Sequence, residues 1–209
     1  MSTKDAILDA ATTLFAERGF RDTSVREICA LAEANIAAVN YHFGNKAALY
    51  TQVITRAYES AGEHAPMPTL DTNPRPSEAL RAWISWYMER LFGENSELTA
   101  RLLLREAAAP TQALDQIVGA QMFPIYQELD RIVCAHLPED ADPARIKRHC
   151  LSILGQCLIH RTNKAMIDRM PVEPRDLTMD MPRLAEHISN SAIAALTTPV
   201  VRPRQEPTP

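Results

Sequence analysis

Apolar residues return every three or four positions along most of this 209-residue chain, which holds only six glycines and no sustained alternation of β-branched and polar residues. A period near 3.6 lines up side chains on one face of a helix, whereas a period of two would line them up on a strand. The chain is therefore expected to be all-α. In the first helix Ile7, Ala11, Leu14 and Phe15 form the stripe, Ser2 or Thr3 can cap the start, and Gly19 stands where a left-handed C-terminal cap belongs.

The next helices are unusually short and closely punctuated. Ser24 and Glu27 have the spacing of a capping box, in which each side chain satisfies the other residue's backbone N–H. Val25, Ile28 and Cys29 then face inward for about two turns before the chain turns through Ala32, Glu33 and Ala34. Asn35 caps a third helix running to about Tyr41, Gly44 and Asn45 break it, and a fourth starts near Lys46 with Leu49, Val53 and Ala57 at helical spacing, fading around His64.

Residues 65–76 hold Pro66, Pro68, Pro74 and Pro76 with no apolar periodicity, so an irregular link is expected between a small head and a larger body. In the body, Ser77 is the expected cap of a helix with Leu80, Trp83, Ile84, Tyr87, Met88 and Leu91 on one face. Another helix covers Leu98 to Ala108. A stripe from Val118 to Val133 is interrupted by Pro124, where a kink or split is expected. Asp142 and Pro143 start a helix carrying Ile146, Cys150, Ile153, Leu154 and Cys157, and a last one carries Leu184, Ile188, Ala192 and Ala195. The tail from Thr197, with four prolines, has too little apolar content to fold.

Three short helices, the second and third joined by a tight turn, match a helix-turn-helix unit. The stretch from Thr23 to Ile28, the run Ala34-Asn35-Ile36-Ala37-Ala38-Val39-Asn40-Tyr41-His42-Phe43, and Asn45-Lys46-Ala47-Ala48-Leu49-Tyr50 strongly resemble the DNA-binding domain of the TetR family over about residues 4–56. Glu106, followed by three alanines, Pro110 and Thr111, further resembles TetR regulators with a CerR-type C-terminal domain. The resemblance implies a helix-turn-helix head at 1–56, a helical-bundle ligand-binding and dimerisation body at 57–196 and a disordered tail at 197–209. One position departs from the family pattern: the turn residue usually held by glycine is Glu33, so the turn must carry a side chain at some cost in strain.

A helix in the major groove offers its N-terminal and outward side chains to base edges, and flanking residues hold phosphates. Ile36, Ala37 and Asn40 are thus candidate base readers: Asn40 can pair bidentately with adenine, the other two can touch thymine methyls, and Arg26 can reach a base or a phosphate. Ser24, Tyr41, His42 and Lys46 are the phosphate candidates and match the family's backbone contacts by resemblance. Tyr41 and His42 could instead pack or cap the head, while Val39 and Phe43 are assigned to the core.

The formal net charge of −4 argues against a surface that coats nucleic acid generally, so DNA contact must be local. Residues 1–33 carry six acids against four bases, whereas residues 34–56 carry Lys46 and Arg56 and no acid. No apolar run approaches the ~18 residues of a membrane span. The four scattered cysteines fit a reducing cytoplasm. Cys150, Cys157, His149 and His160 lack the short cysteine pair of a zinc site and read as core and its flanks. No P-loop, dinucleotide fingerprint, nucleophile elbow or zinc-protease helix occurs, so neither a cofactor nor an enzyme is expected.

Trp83, Tyr87, Met122 and Tyr126 are the candidate lining of an effector cavity, since large adaptable side chains suit one, although a helical stripe more often simply packs. Arg105 and Glu106 read as surface or intersubunit charge partners. The family resemblance implies a homodimer through the two C-terminal helices, with Ile146, Ile153, Leu154, Leu184, Ile188 and Ala195 in the interface, binding a near-palindromic duplex operator and released by an unknown small-molecule effector. Two rival classes are a helical binding or enzymatic protein whose head reads no DNA, which Asn40 and Lys46 argue against, and an architectural DNA binder, which the acidic total argues against.

Overall fold

The computed structural model describes residues 2–68, 74–93, 96–171, 173 and 180–198. Among these residues the all-α expectation holds: eleven α-helices and one π-helical turn, without a strand. Helix α1 (Thr3–Arg18) starts on a capping box, and Ser2 rather than Thr3 is its cap. It ends at Gly19, whose φ of 84° is positive as expected but whose ψ of 175° is extended rather than left-handed helical. That combination is essentially restricted to glycine.

Helices α2 (Val25–Leu31), α3 (Ile36–Phe43) and the first half of α4 (Lys46–His64) close around α1. Ile7, Phe15, Ile28, Val39, Leu49 and Val53 are fully or nearly fully buried between them. Phe15 meets Tyr50 edge-on at 4.9 Å, and the buried Thr23 hydroxyl donates to the carbonyl of Gly19 at 2.9 Å, tying the α1–α2 turn to the helix before it. Helix α4 does not stop at the head but runs on into the body, packing against α6 (Ser96–Ala108) and α7 (Ala113–Ile117).

The body is built around α5 (Pro76–Phe92), whose Ala79, Leu80, Trp83, Ile84, Trp86, Tyr87 and Met88 are all buried. Its start corrects the sequence expectation: Arg75 is the cap, Pro76 is the first helical residue and Ser77 lies inside the first turn. Proline suits that place because its φ is already helical and its missing N–H would have had no partner there. A π-helical turn (Val118–Met122) and α8 (Phe123–Cys134) continue from α7. The expected break near Pro124 takes the form of that wider turn: the Phe123 N–H reaches five residues back to the Val118 carbonyl, and Pro124 falls in the first turn of α8.

Helix α9 (Pro143–Thr162) and α11 (Met181–Thr197), with the short α10 (Lys164–Ile167) after α9, complete the bundle. Both long helices pack on α5 and on each other. Ile153, Leu184 and Ile188 are consequently buried inside the protomer, which removes them from the expected dimer interface. Cys150 and Cys157 are also buried, and burial pushes both thiols up to about 12, so they stay protonated and pack as small hydrophobes.

Of the expected irregular link, Pro66 to Pro68, Pro74 and Arg75 are without regular structure, and 69–73 lie outside the described residues. Of the expected disordered tail, 197–209, Thr197 is instead the last residue of α11 and Thr198 its cap, and 199–209 lie outside the described residues. No described helix is long and apolar enough to cross a membrane.

Candidate nucleic-acid interface and the cavity behind it

The turn between α2 and α3 is a Schellman closure. The Ala34 N–H donates to the Cys29 carbonyl at 2.9 Å and the Glu33 N–H to the Ala30 carbonyl at 3.4 Å, which satisfies two carbonyls left open at the end of α2. This closure needs a left-handed residue, and Glu33 supplies it with φ of 51°. The strain expected from the missing glycine is therefore present in the backbone. Asn35 follows at once as the cap of α3, its side-chain oxygen accepting from the Ala38 N–H at 2.8 Å.

With Val39 and Phe43 buried, Ala38 packed against the core and His42 half-buried, the remaining side chains of α3 face water. Ile36 is 45% exposed and Tyr41 85% exposed, with Ala37 and Asn40 also open. No carboxylate occurs on α3. The candidate readers Ile36, Ala37 and Asn40 thus share an outward helical surface beginning at the first turn, as groove reading requires. Arg26 is exposed on α2.

The phosphate candidates divide. Tyr41 is free of the core and meets the half-buried His42 ring edge-on at 5.0 Å. Ser24 is engaged in its capping box, its hydroxyl donating to Glu27 at 2.7 Å while accepting from the Glu27 N–H at 3.2 Å. The hydrogen bonds from Ser24, followed by the charge of Arg18 at 2.8 Å, hold the Glu27 carboxyl below its ordinary range. Lys46 lies with its ammonium 4.5 Å from the centre of the Phe20 ring and 3.5 Å from the Arg21 carbonyl. These contacts leave two of its three donors for an anion.

Behind the head, α6 joins both parts of the molecule. Arg105 donates from Nε to the Ala16 carbonyl at 2.9 Å and from Nη2 to the Glu17 carbonyl, closing the last turn of α1. Glu106, only 1% exposed, accepts from the Thr111 N–H at 2.7 Å and hydroxyl at 3.0 Å. Burial and a hydrogen bond to Glu106 together raise the Tyr50 phenol above its ordinary value. The reading of Arg105 and Glu106 as surface or intersubunit charge partners is thus corrected: Arg105 joins α6 to the end of α1, and Glu106 ties the end of α6 to the Thr111 turn.

Along the same α6, Ser96, Thr99, Ala100, Leu103 and Leu104 border a cavity of about 220 Å³. Of the four residues expected to line an effector cavity, Tyr87 and Met122 border this one. Trp83 and Tyr126 do not: Trp83 is sealed in the core, stacked on Tyr87 at 4.9 Å, and Tyr126 lies with Phe123 on α8. Arg90 and Arg161, absent from the sequence-based set, are in the lining. No group of metal-binding side chains is found among the described residues.

Residues 7–53 match the model of the bacterial regulatory proteins of the tetR family, and residues 76–196 match the C-terminal domain of the HTH-type transcriptional dual regulator CecR. The body therefore resembles the CecR branch. The chain is 30% identical over 175 residues to CecR of Shigella flexneri, covering 78% of each protein. It is 28% identical over 124 residues to the probable HTH-type regulator YttP of Bacillus subtilis, covering 59% of each. In fold it is similar to AibR solved with isovaleryl coenzyme A and operator DNA, with a TM-score of 0.63 at 20% identity over 95% of this chain and 100% of that one.

Proposed function

Because the chain belongs to the TetR family of bacterial regulatory proteins, we propose that it is a homodimeric repressor that leaves its operator when a small molecule fills the body cavity. Residues 1–56 act as the reading head and 57–196 as the sensing and dimerising body, with α4 common to both. Ile36, Ala37, Asn40 and Arg26 read base edges, and Tyr41, His42, Lys46 and the start of α2 at Ser24 hold phosphates. The observation that carries this reading is the outward face of α3, which offers small, apolar and amide groups to solvent and no negative charge.

The sensing half rests on α6. One part of that helix borders the cavity, and its last turn grips α1 through Arg105 and the Thr111 turn that precedes α7 through Glu106. A ligand that prefers one position of α6 thereby prefers one position of the heads, and without such preference it would shift nothing. AibR, similar in fold, was solved with both an acyl coenzyme A and operator DNA. On this reading the body binds its effector without converting it, in the cytoplasm where the operator is.

Dimerisation uses the faces of α9 and α11 that the protomer leaves open. Leu151, Gly155 and Ile159 form an exposed row on α9, and Ser191, Ala194 and Ala195 an exposed small-residue row on α11. Paired with their copies they make a four-helix bundle. Sedimentation together with gel-shift on a palindromic duplex tests the assignment: wild type sediments as a dimer and binds, and Leu151→Glu loses both properties. A dimeric, binding Leu151→Glu variant contradicts it.

A further inference from the structure

The charge balance of the body cavity specifies the kind of molecule it takes. Leu91, Leu103, Leu104, Met122 and Leu158 make its walls apolar, and no acidic residue is among the described residues that line it. Two guanidinium groups border it. That of Arg161 is answered by Glu97 at 2.8 Å. That of Arg90 stands 4.6 Å over the Tyr58 ring and donates through Nη2 to the Tyr58 carbonyl at 3.1 Å, with no carboxylate among the described residues in ion-pair contact. Glu59 and Glu63 border the open groove on the other side of Arg90, and neither pairs with it.

Room for this arrangement comes from Gly62 on α4, where an added Cβ would come within 2.9 Å of Arg90 Nη1. An arginine has five donors in a fixed fork that matches a carboxylate, and a cation without a counter-charge beside apolar walls is costly. Burial raises the Tyr87 and Tyr58 phenols, so both remain protonated, and the lining Tyr87 hydroxyl can add a neutral donor near Arg90. The volume is below the ~300–1,000 Å³ of sites for drug-sized ligands.

We infer that the effector is a small organic acid, an apolar stem ending in a carboxylate, with Arg90 receiving the charge. This inference rests on the reading of the cavity as the effector site. Titration calorimetry on the full chain with hexanoate, octanoate and phenylacetate, each beside its uncharged primary amide, tests it. At least one acid should bind tenfold or more tightly than its amide. Arg90→Gln should remove that preference, and Arg90→Lys should retain part of it, with thermal melts confirming that both variants are folded. Amides that bind as well as acids, or a preference that survives Arg90→Gln, overturn the assignment. If acids and amides bind equally and Ala100→Trp, which fills the cavity, abolishes both, the effector site stands and only its anion specificity falls. If no probe binds, or binding is indifferent to Ala100→Trp, both fall together.

Discussion

Replacing Glu33 by glycine should stabilise the protein. Glu33 sits at φ of 51° in the closure after α2, where an L side chain costs about 1–2 kcal/mol through the approach of Cβ to the carbonyl oxygen. Glycine relieves that cost but has more freedom to lose on folding, which returns about 0.5–1 kcal/mol. The net expectation is a gain of about 0.5–1 kcal/mol. For a chain of this length that is a rise in Tm of about 1–4 °C, from ~2–4 °C per kcal/mol. Glu33→Ala keeps the Cβ while removing the charge and should melt close to wild type. Ala30→Gly, an exposed helical position three residues earlier, should lose about 1 kcal/mol. Urea and thermal melts of the three variants separate conformational strain from charge. A Glu33→Gly variant no more stable than Glu33→Ala would refute the assignment of strain to this residue.

The same variants bear on binding, since Glu33→Gly and Glu33→Ala both remove a negative charge beside the first turn of α3 and should raise affinity for every duplex alike at low salt, as measured by anisotropy. Lys46→Ala should weaken all duplexes equally and flatten the salt dependence by roughly one unit per head, because its donors serve phosphate and not bases; a loss confined to one sequence would contradict that role. Arg105→Ala removes two hydrogen bonds that close α1 and should cost about 1–3 kcal/mol in urea melts while weakening the coupling between effector and operator. Coupling left intact in a folded Arg105→Ala variant would remove Arg105 from the transmission path.

What could be read in the sequence was what neighbouring residues decide. The caps at Ser24, Asn35 and Asp142 and the breaks at Gly44 and Pro124 depend on partners within a few positions, so the helical framework was legible. Arg90 was not, because its partner Tyr58 lies 32 residues away, and Arg105 was not, because it closes α1 from 88 and 89 residues away. Nothing local distinguishes such an arginine from one in solvent. Ile153 was placed in a dimer interface and not in the core for a different reason. Helix α9 carries two apolar rows, Ile153 with Cys157 and Leu151 with Ile159, and spacing alone does not say which turns inward. Trp83 failed as a cavity residue for a related cause: a large aromatic suits a void and a packed core equally, and the core of α5 took it.

Base reading by the outward face of α3 is the proposal on which the others depend. In vitro selection from random duplex DNA, run in parallel with wild type and Asn40→Ala, tests it most directly. Wild type should enrich a near-palindrome with half-sites on successive major grooves. Asn40→Ala should enrich the same pattern relaxed at one position per half-site, with affinity for the wild-type consensus reduced by about 1–3 kcal/mol. No enriched sequence from wild type, or an identical consensus and affinity from Asn40→Ala, would contradict the account.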